Sequence, residues 1–429
     1  MNRYTTLFSF ILFTTIISTF ISCKSGTPLS ETNFKDMYST SNKVSQPQFK
    51  AYHLSNSETE IYYMFKNKSL NYVLDDNEAK YIAKVQISWH LYSNYNSKEV
   101  IDSASFIKTD SISSTGITQL QGMFKLRIGY GENYIIKITS TDLNSKSKTI
   151  SFLNINKRDE NSNQFYKVIL KENNSILFRD YFYKNEELSI VFKSPNNTTA
   201  VIKHYKTKFP VSPPPFSMTS STPFNFDEFT LLNFNYQNDT IHFSANETGI
   251  YHFGVGSDNR YSGLTLFQYS DDFPEVNTAE ELLSPLRFLA SKKEYDIMKQ
   301  FQDPKKAVDS FWLKTSKQEE KARRLVQGFY TRVENANYYY TSFKEGWKTD
   351  RGIIFIVFGP PSIVYRSLTG ESWTYGELSN YKSLTFNFSK VNNPFTNNDY
   401  VLQRSTVYKN PWYRAIDSWR QGKVTSLEN

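Results

Sequence analysis

Cysteine is all but missing from this chain: Cys23 is the only one in 429 residues. No disulfide within the chain can brace it, so its domains must be held by their cores. Histidine is scarce too, with only His53, His90, His204, His242 and His252. None of them stands in a His-x-His or His-x-x-x-His pair. Without such pairs or a cysteine cluster, the usual zinc and copper patterns are excluded, and no metal or other cofactor is expected. No histidine lies beyond His252, which rules out a Ser-His-Asp triad inside the C-terminal third. The 16 glycines form no phosphate-cradling loop and read as turn residues. Charge is absent from positions 4–22, and Arg3 is the only charged residue before Cys23.

That uncharged stretch is apolar in its middle, carrying Leu7, Phe8, Phe10, Ile11, Leu12, Phe13, Ile16 and Ile17. Small Ser22 precedes the cysteine. A charged start, an apolar middle and a small residue at the cut describe a secretory signal. The cysteine resembles the lipobox of bacterial lipoproteins, which implies removal of residues 1–22 and lipidation of Cys23. Two other readings stand beside it. The stretch approaches the ~20 residues of a membrane span, although Ser9, Thr14, Thr15, Ser18 and Thr19 weaken it as one. It also fits an ordinary signal with a chance cysteine.

Aromatics are plentiful: 30 Tyr and 34 Phe, with 16% aromatic residues against 39% hydrophobic. Each aromatic buries a large area, so packed cores are within reach, and the same residues favour strands. The formal net charge is +8. Its lysines are scattered among acids without a dense basic run, so nucleic acid is not an expected partner, while anionic lipid remains compatible.

Residues 23–46 are rich in Ser, Thr and Asn and read as a flexible tether. From 47 to 157 the pattern is β. Val85, Ile87, Trp89 and Leu91 alternate with Lys84, Gln86, Ser88 and His90. The strand spacing suits an immunoglobulin-like sandwich. A polar break at 157–163 precedes a second β block over 164–270, with candidate strands at 165–170, 176–182, 188–192, 200–205, 240–243 and 249–255. The run Phe209-Pro-Val-Ser-Pro-Pro-Pro-Phe216 reads as a rigid connection at a sheet edge, with a polyproline ligand as the alternative. A second polar break falls at 271–277. Beyond it the period becomes helical. Thr278 with Glu281, Ser291 with Glu294 and Ser316 with Glu319 fit capping boxes, and Asp303-Pro304 fits a helix start. The longest helix is expected over 317–335, followed by strands at 353–358, 363–366, 372–375 and 384–388.

Between the long helix and the first late strand stands Gly346-Trp347-Lys348-Thr349-Asp350-Arg351-Gly352, followed by an apolar run and the turn Gly359-Pro360-Pro361. This segment resembles the signature of the GWxTD-domain family of Bacteroidota-type envelope lipoproteins, over about residues 275–425. The resemblance implies a lipoprotein with β domains ahead of the signature module, and it brings no catalytic residues. Read physically, Gly346 supplies a positive φ, Trp347 an apolar anchor and Thr349 and Asp350 caps for backbone amides. Arg351 is a partner for Asp350 or Glu345, and Gly352 allows a close approach. The set describes a corner locking helix to sheet. Glu345, Asp350 and Glu371 are the carboxylates that would serve if the module were catalytic.

The expected fold is multidomain: two N-terminal all-β immunoglobulin-like sandwich domains (47–157 and 164–270) followed by an α+β GWxTD domain over 275–429. The expected function is a non-enzymatic scaffold or docking subunit of an outer-membrane assembly. It would be anchored through Cys23 and face the periplasm, by its Lys24-Ser25-Gly26 start, with outer-membrane or periplasmic protein partners. The alternative is a carboxylate-dependent hydrolase, or a glycan-binding module, acting on envelope polysaccharide.

Overall fold

The computed structural model describes residues 28–38, 46–75, 80–112, 119–159, 161–192, 200–206, 209–219, 224, 226–234, 236–255, 263–316, 318–377 and 383–424. Cys23 and the signal-like stretch lie outside them. The chain is multidomain, with β sheets through its N-terminal part and helices gathered near the C-terminus.

The first block builds two antiparallel sheets. One orders β1 (Gln48–His53), β2 (Glu58–Lys66) and β6 (Gln119–Arg127). The other centres on β4 (Lys80–Tyr92), flanked by β5 (Asp102–Ile112) and by β7 (Asn133–Asp142), with β8 (Lys148–Asn156) beyond and short β3 (Val73–Asp75) on β4. The alternation along β4 works as read. Val85, Ile87, Trp89 and Leu91 enter a core shared with Ile61, Tyr63 and Leu126 of the first sheet, and Trp89 stacks on Phe124.

The second block repeats the plan. One sheet runs through β9 (Lys167–Leu170), β11 (Leu188–Val191) and β15 (Thr240–Phe243), edged by β10 (Ser175–Ile176) and β14 (Tyr236–Gln237). The other orders β13 (Thr230–Phe234), β12 (Ala200–Tyr205), β16 (Gly249–Val255) and β17 (Leu264–Gln268). Their inner faces meet at Ile190, Ile241, Tyr251, Phe253 and Leu266. The strand expected over 176–182 shrinks to two residues, because Phe182 turns to bond the backbone of Phe267.

The C-terminal part opens with α1 (Ala279–Leu283) and α2 (Lys292–Met298), and the Thr278/Glu281 and Ser291/Glu294 capping boxes both form. Helix α3 (Pro304–Ser316) and long α4 (Glu319–Tyr340) follow. The third expected box does not form. Ser316 still belongs to α3, its hydroxyl bonds the carbonyl of Gln318, and Gln318 caps α4 without a side-chain bond. A larger correction concerns 353–358. The run is not a strand but the body of helix α5 (Asp350–Phe358), buried on every side except at its last residue. An apolar run that is buried all round has no period to betray it. Strands β18 (Ile363–Arg366), β19 (Gly370–Tyr375), β20 (Leu384–Lys390) and β21 (Tyr400–Leu402) form one antiparallel sheet, closed by α6 (Lys409–Arg420).

The tether reading over 23–46 fails for residues 28–38. Leu29, Phe34 and Tyr38 are buried in the C-terminal core, at 2%, 2% and 3% exposure. The Phe34 amide bonds the Val364 carbonyl at 2.8 Å, and the Ser30 amide bonds the Tyr95 carbonyl at 2.8 Å. Phe34 also packs on Phe152, 4.6 Å between ring centroids. This segment therefore cements the first β block to the C-terminal sheet. The expected break at 157–163 is also anchored: Lys157 is fully buried and its ammonium bonds the Ser55 carbonyl at 2.6 Å. Limited trypsin digestion is expected to spare the Lys157 bond, since cleavage requires exposed, mobile backbone. Early cutting there would contradict this packing.

Candidate functional site

The signature segment sits where α4, α5 and the C-terminal sheet converge. Gly346 is needed for proximity rather than for a positive φ, which it does not adopt. A Cβ there would lie 1.8 Å from the Ala336 carbonyl oxygen of α4, and one at Gly352 would lie 1.8 Å from the Gly346 carbonyl oxygen. Thr349 caps α5. Its hydroxyl donates to the Gly346 carbonyl at 2.8 Å and accepts from the Gly352 amide at 3.0 Å, a standard use of threonine. Gly359 ends α5 at φ 86°, as a glycine after a helix C-terminus often does. Its carbonyl accepts from Tyr375, and Pro360 and Pro361 then lead into β18.

Asp350 and Arg351 point to different partners, and Arg351 pairs with neither Asp350 nor Glu345. Asp350 is buried and takes a two-pronged bond from Arg404 at 2.5 and 3.0 Å, plus the Leu402 amide at 2.8 Å. Arg404 also donates to the Pro213 carbonyl, and the Ser212 amide bonds the Lys348 carbonyl at 2.9 Å. The proline-rich run is thus strapped across the signature. Arg351 reaches Glu371 at 3.2 Å and the Asn398 carbonyl at 2.9 Å, with its guanidinium 4.0 Å from the centre of the Tyr400 ring. Glu371 further accepts from Arg366 at 2.7 Å, Tyr38 at 2.9 Å and Trp373 at 3.0 Å. Burial alone would raise the Glu371 pKa. The Arg366 and Arg351 guanidiniums outweigh it and hold the carboxyl at about 2. Burial pushes Tyr38 up, keeping its hydroxyl a donor. Glu345 pairs with Lys348 at 2.5 Å.

The three carboxylates named from sequence are therefore each tied to a cation of their own. The partners Arg404, Asn398, Arg366 and Tyr38 were not singled out from sequence. Only Arg366 had a local sign, facing Glu371 across neighbouring strands. Asp399 was also missed. It is buried, and burial raises its pKa. Among the described residues no group of three or more His, Cys, Asp or Glu side chains is placed to hold a metal ion.

Trp347 departs from the expected burial. Its amide bonds the Asn337 side chain at 3.1 Å and its ring meets Phe288 edge-on, but it is only half-buried. It lines a cleft of about 660 Å³ between the second β block and the helices. A Trp347→Ala protein should consequently lose less than the ~3–5 kcal/mol of an emptied buried aromatic site, as read from a chemical melt of the chain. A second cleft, of about 600 Å³, lies where both β blocks meet α4.

The GWxTD domain model matches residues 249–421. The chain therefore carries a GWxTD domain over these residues. The match begins at Gly249 and so takes in β16 and β17 of the second block as well as the helices and the last sheet. No curated protein matches the sequence.

Proposed function

We propose that this chain is a lipid-anchored envelope protein acting as a non-enzymatic docking subunit of an outer-membrane assembly, facing the periplasm. On this reading the two β blocks are immunoglobulin-like sandwiches, the C-terminal part is an α+β GWxTD domain, and Cys23 carries the lipid. One observation supports it most. Every charged side chain of the signature is engaged by another part of the same chain: Lys348 by Glu345, Asp350 by Arg404, and Arg351 by Glu371. Such a set holds surfaces in place and leaves no free acid or base beside a reacting group.

The test is Asp350→Asn. It keeps the shape and removes the charge that Arg404 grips, so a stability loss of about 1.5–3 kcal/mol is expected, the range for bonds to a charged group. Complementation of a deletion strain should fall only as far as the folded protein falls. A fully stable Asp350→Asn protein that fails to complement, yet keeps its partners in mild-detergent purification, would favour catalysis. Mass spectrometry of the mature N-terminus checks the anchor, and an unmodified Cys23 would end that part.

A second reading, glycan binding, draws on the cleft at the three-way junction. Phe49, Tyr181 and Tyr338 stand there beside the amides of Gln48, Gln121 and Asn398, a mixture of flat rings and amide groups that suits sugar hydroxyls.

A further inference from the structure

We infer that the cleft beside Trp347 takes a basic peptide segment, a lysine- or arginine-bearing stretch of a partner protein. The inference rests on the docking reading above and names the chemistry of what docks. The chain as a whole is basic, at +8. This cleft has the opposite sign: five glutamates against two lysines leave three net negative charges on its walls. Glu247 is paired with Lys206 and Glu345 with Lys348, both at 2.5 Å. Glu281 accepts the Thr278 and Asn277 amides at the start of α1. Glu275 and Glu280 are exposed and have no side-chain partner among the described residues.

Acidity alone would carry little, but three further features point the same way. Gln268 lines the cleft, is 3% exposed, and its Oε1 has no hydrogen-bond donor among the described residues. An acceptor left without a donor suits a ligand rich in N–H groups. The half-buried Trp347 places an indole in the same wall, where it can meet a cation. The cleft already holds an internal example: the Lys348 ammonium sits 5.4 Å from the Trp347 ring centre while bonded to Glu345. Finally, the family match from 249 to 421 takes in part of both walls, from Gly249 and Gln268 of the β block to Trp347 and Lys348 of the signature, with Lys206, Phe209, Glu247 and Thr248 lying before it.

Trp347 also supplies the readout. Of the six tryptophans it alone is not buried; Trp89, Trp312, Trp373, Trp412 and Trp419 are. Acrylamide quenching of the full lipidated chain in detergent micelles therefore reports on this cleft. The probe is a capped six-residue peptide alternating lysine and arginine. It is expected to shield the quenchable tryptophan, and the shielding should weaken as salt rises. In the double variant Glu275→Gln/Glu280→Gln, which touches only exposed carboxylates, the affinity should fall about tenfold, as for two exposed charge pairs. Binding without shielding, or shielding unchanged in the double variant, would overturn the inference. So would equal shielding by a neutral hexasaccharide, which would move the cleft to the glycan class. The docking reading fails by a separate route, through a stable Asp350→Asn protein that cannot complement.

Discussion

Glu371→Gln is expected to destabilise the C-terminal part by about 3–5 kcal/mol, the usual cost of leaving a buried charge without its partner. Glutamine keeps the volume, but it has one acceptor oxygen where Glu371 uses two, so it can keep the bond from Tyr38 or the one from Trp373 and not both. It cannot balance Arg351, at 1% side-chain exposure, or Arg366, at 15%. Two guanidiniums would then stand close together with no carboxylate between them. Differential melting, with hydrogen exchange followed in α5 and β19, checks the outcome. A variant melting within a degree or two of the parent would show that the triad contributes little. The pH dependence has a definite sign. The Glu371 carboxyl is held at about 2 in the fold against an ordinary value of 4.5. Its stabilisation is therefore complete above about pH 4.5 and is lost as pH falls from there toward 2. Glu294, held at about 2 mainly by its bond from Arg420, adds to the same acid limb. Glu371→Gln should flatten that limb without abolishing it.

Tyr38 joins the Glu371 cluster from the far end of the chain, and this was the least legible part of the sequence. Residues 28–38 are mostly polar, and Leu29, Phe34 and Tyr38 fall at no regular spacing because the segment has only two short 3-10 turns. Periodicity cannot announce burial where there is no period. The strands of the β blocks were legible for the opposite reason, since one face of β4 is buried and the other is wet. Helix α5 was misread although its punctuation was present. Thr349 and Asp350 are a cap and an acidic first turn, and Gly359 with Pro360 is a helix stop. The apolar run between them is buried nearly all round, so it carries no helical period and its composition suits a strand equally well. The signature itself was legible as a corner, but its partners were not. Arg404 and Asn398 lie about fifty positions downstream of Asp350 and Arg351, and nothing local ties them together.

The glycines of the signature should matter more to folding than its tryptophan. Gly346→Ala would place a methyl 1.8 Å from the Ala336 carbonyl oxygen and 2.8 Å from the Asn337 Cα. Gly352→Ala would place one 1.8 Å from the Gly346 carbonyl oxygen. The opposing atoms are backbone, so no side chain can swing aside. Either α5 or the signature turn must shift. Such a shift would stretch the Thr349 cap and the Asp350–Arg404 clamp, because both hang from the same turn of chain. Overpacking costs about 1–3 kcal/mol when side chains can adjust, and more when they cannot. We therefore expect about 3 kcal/mol or more for either glycine, against a smaller loss for Trp347→Ala. Thr349→Ala belongs between them and neutrality, at about 1 kcal/mol for a lost cap. Exchange rates of the α5 amides in the four variants give the ranking without requiring one global transition, which a multidomain chain does not supply. If Gly346→Ala and Gly352→Ala exchange like the parent while Trp347→Ala opens the helix, the corner is held by the indole and not by backbone contact.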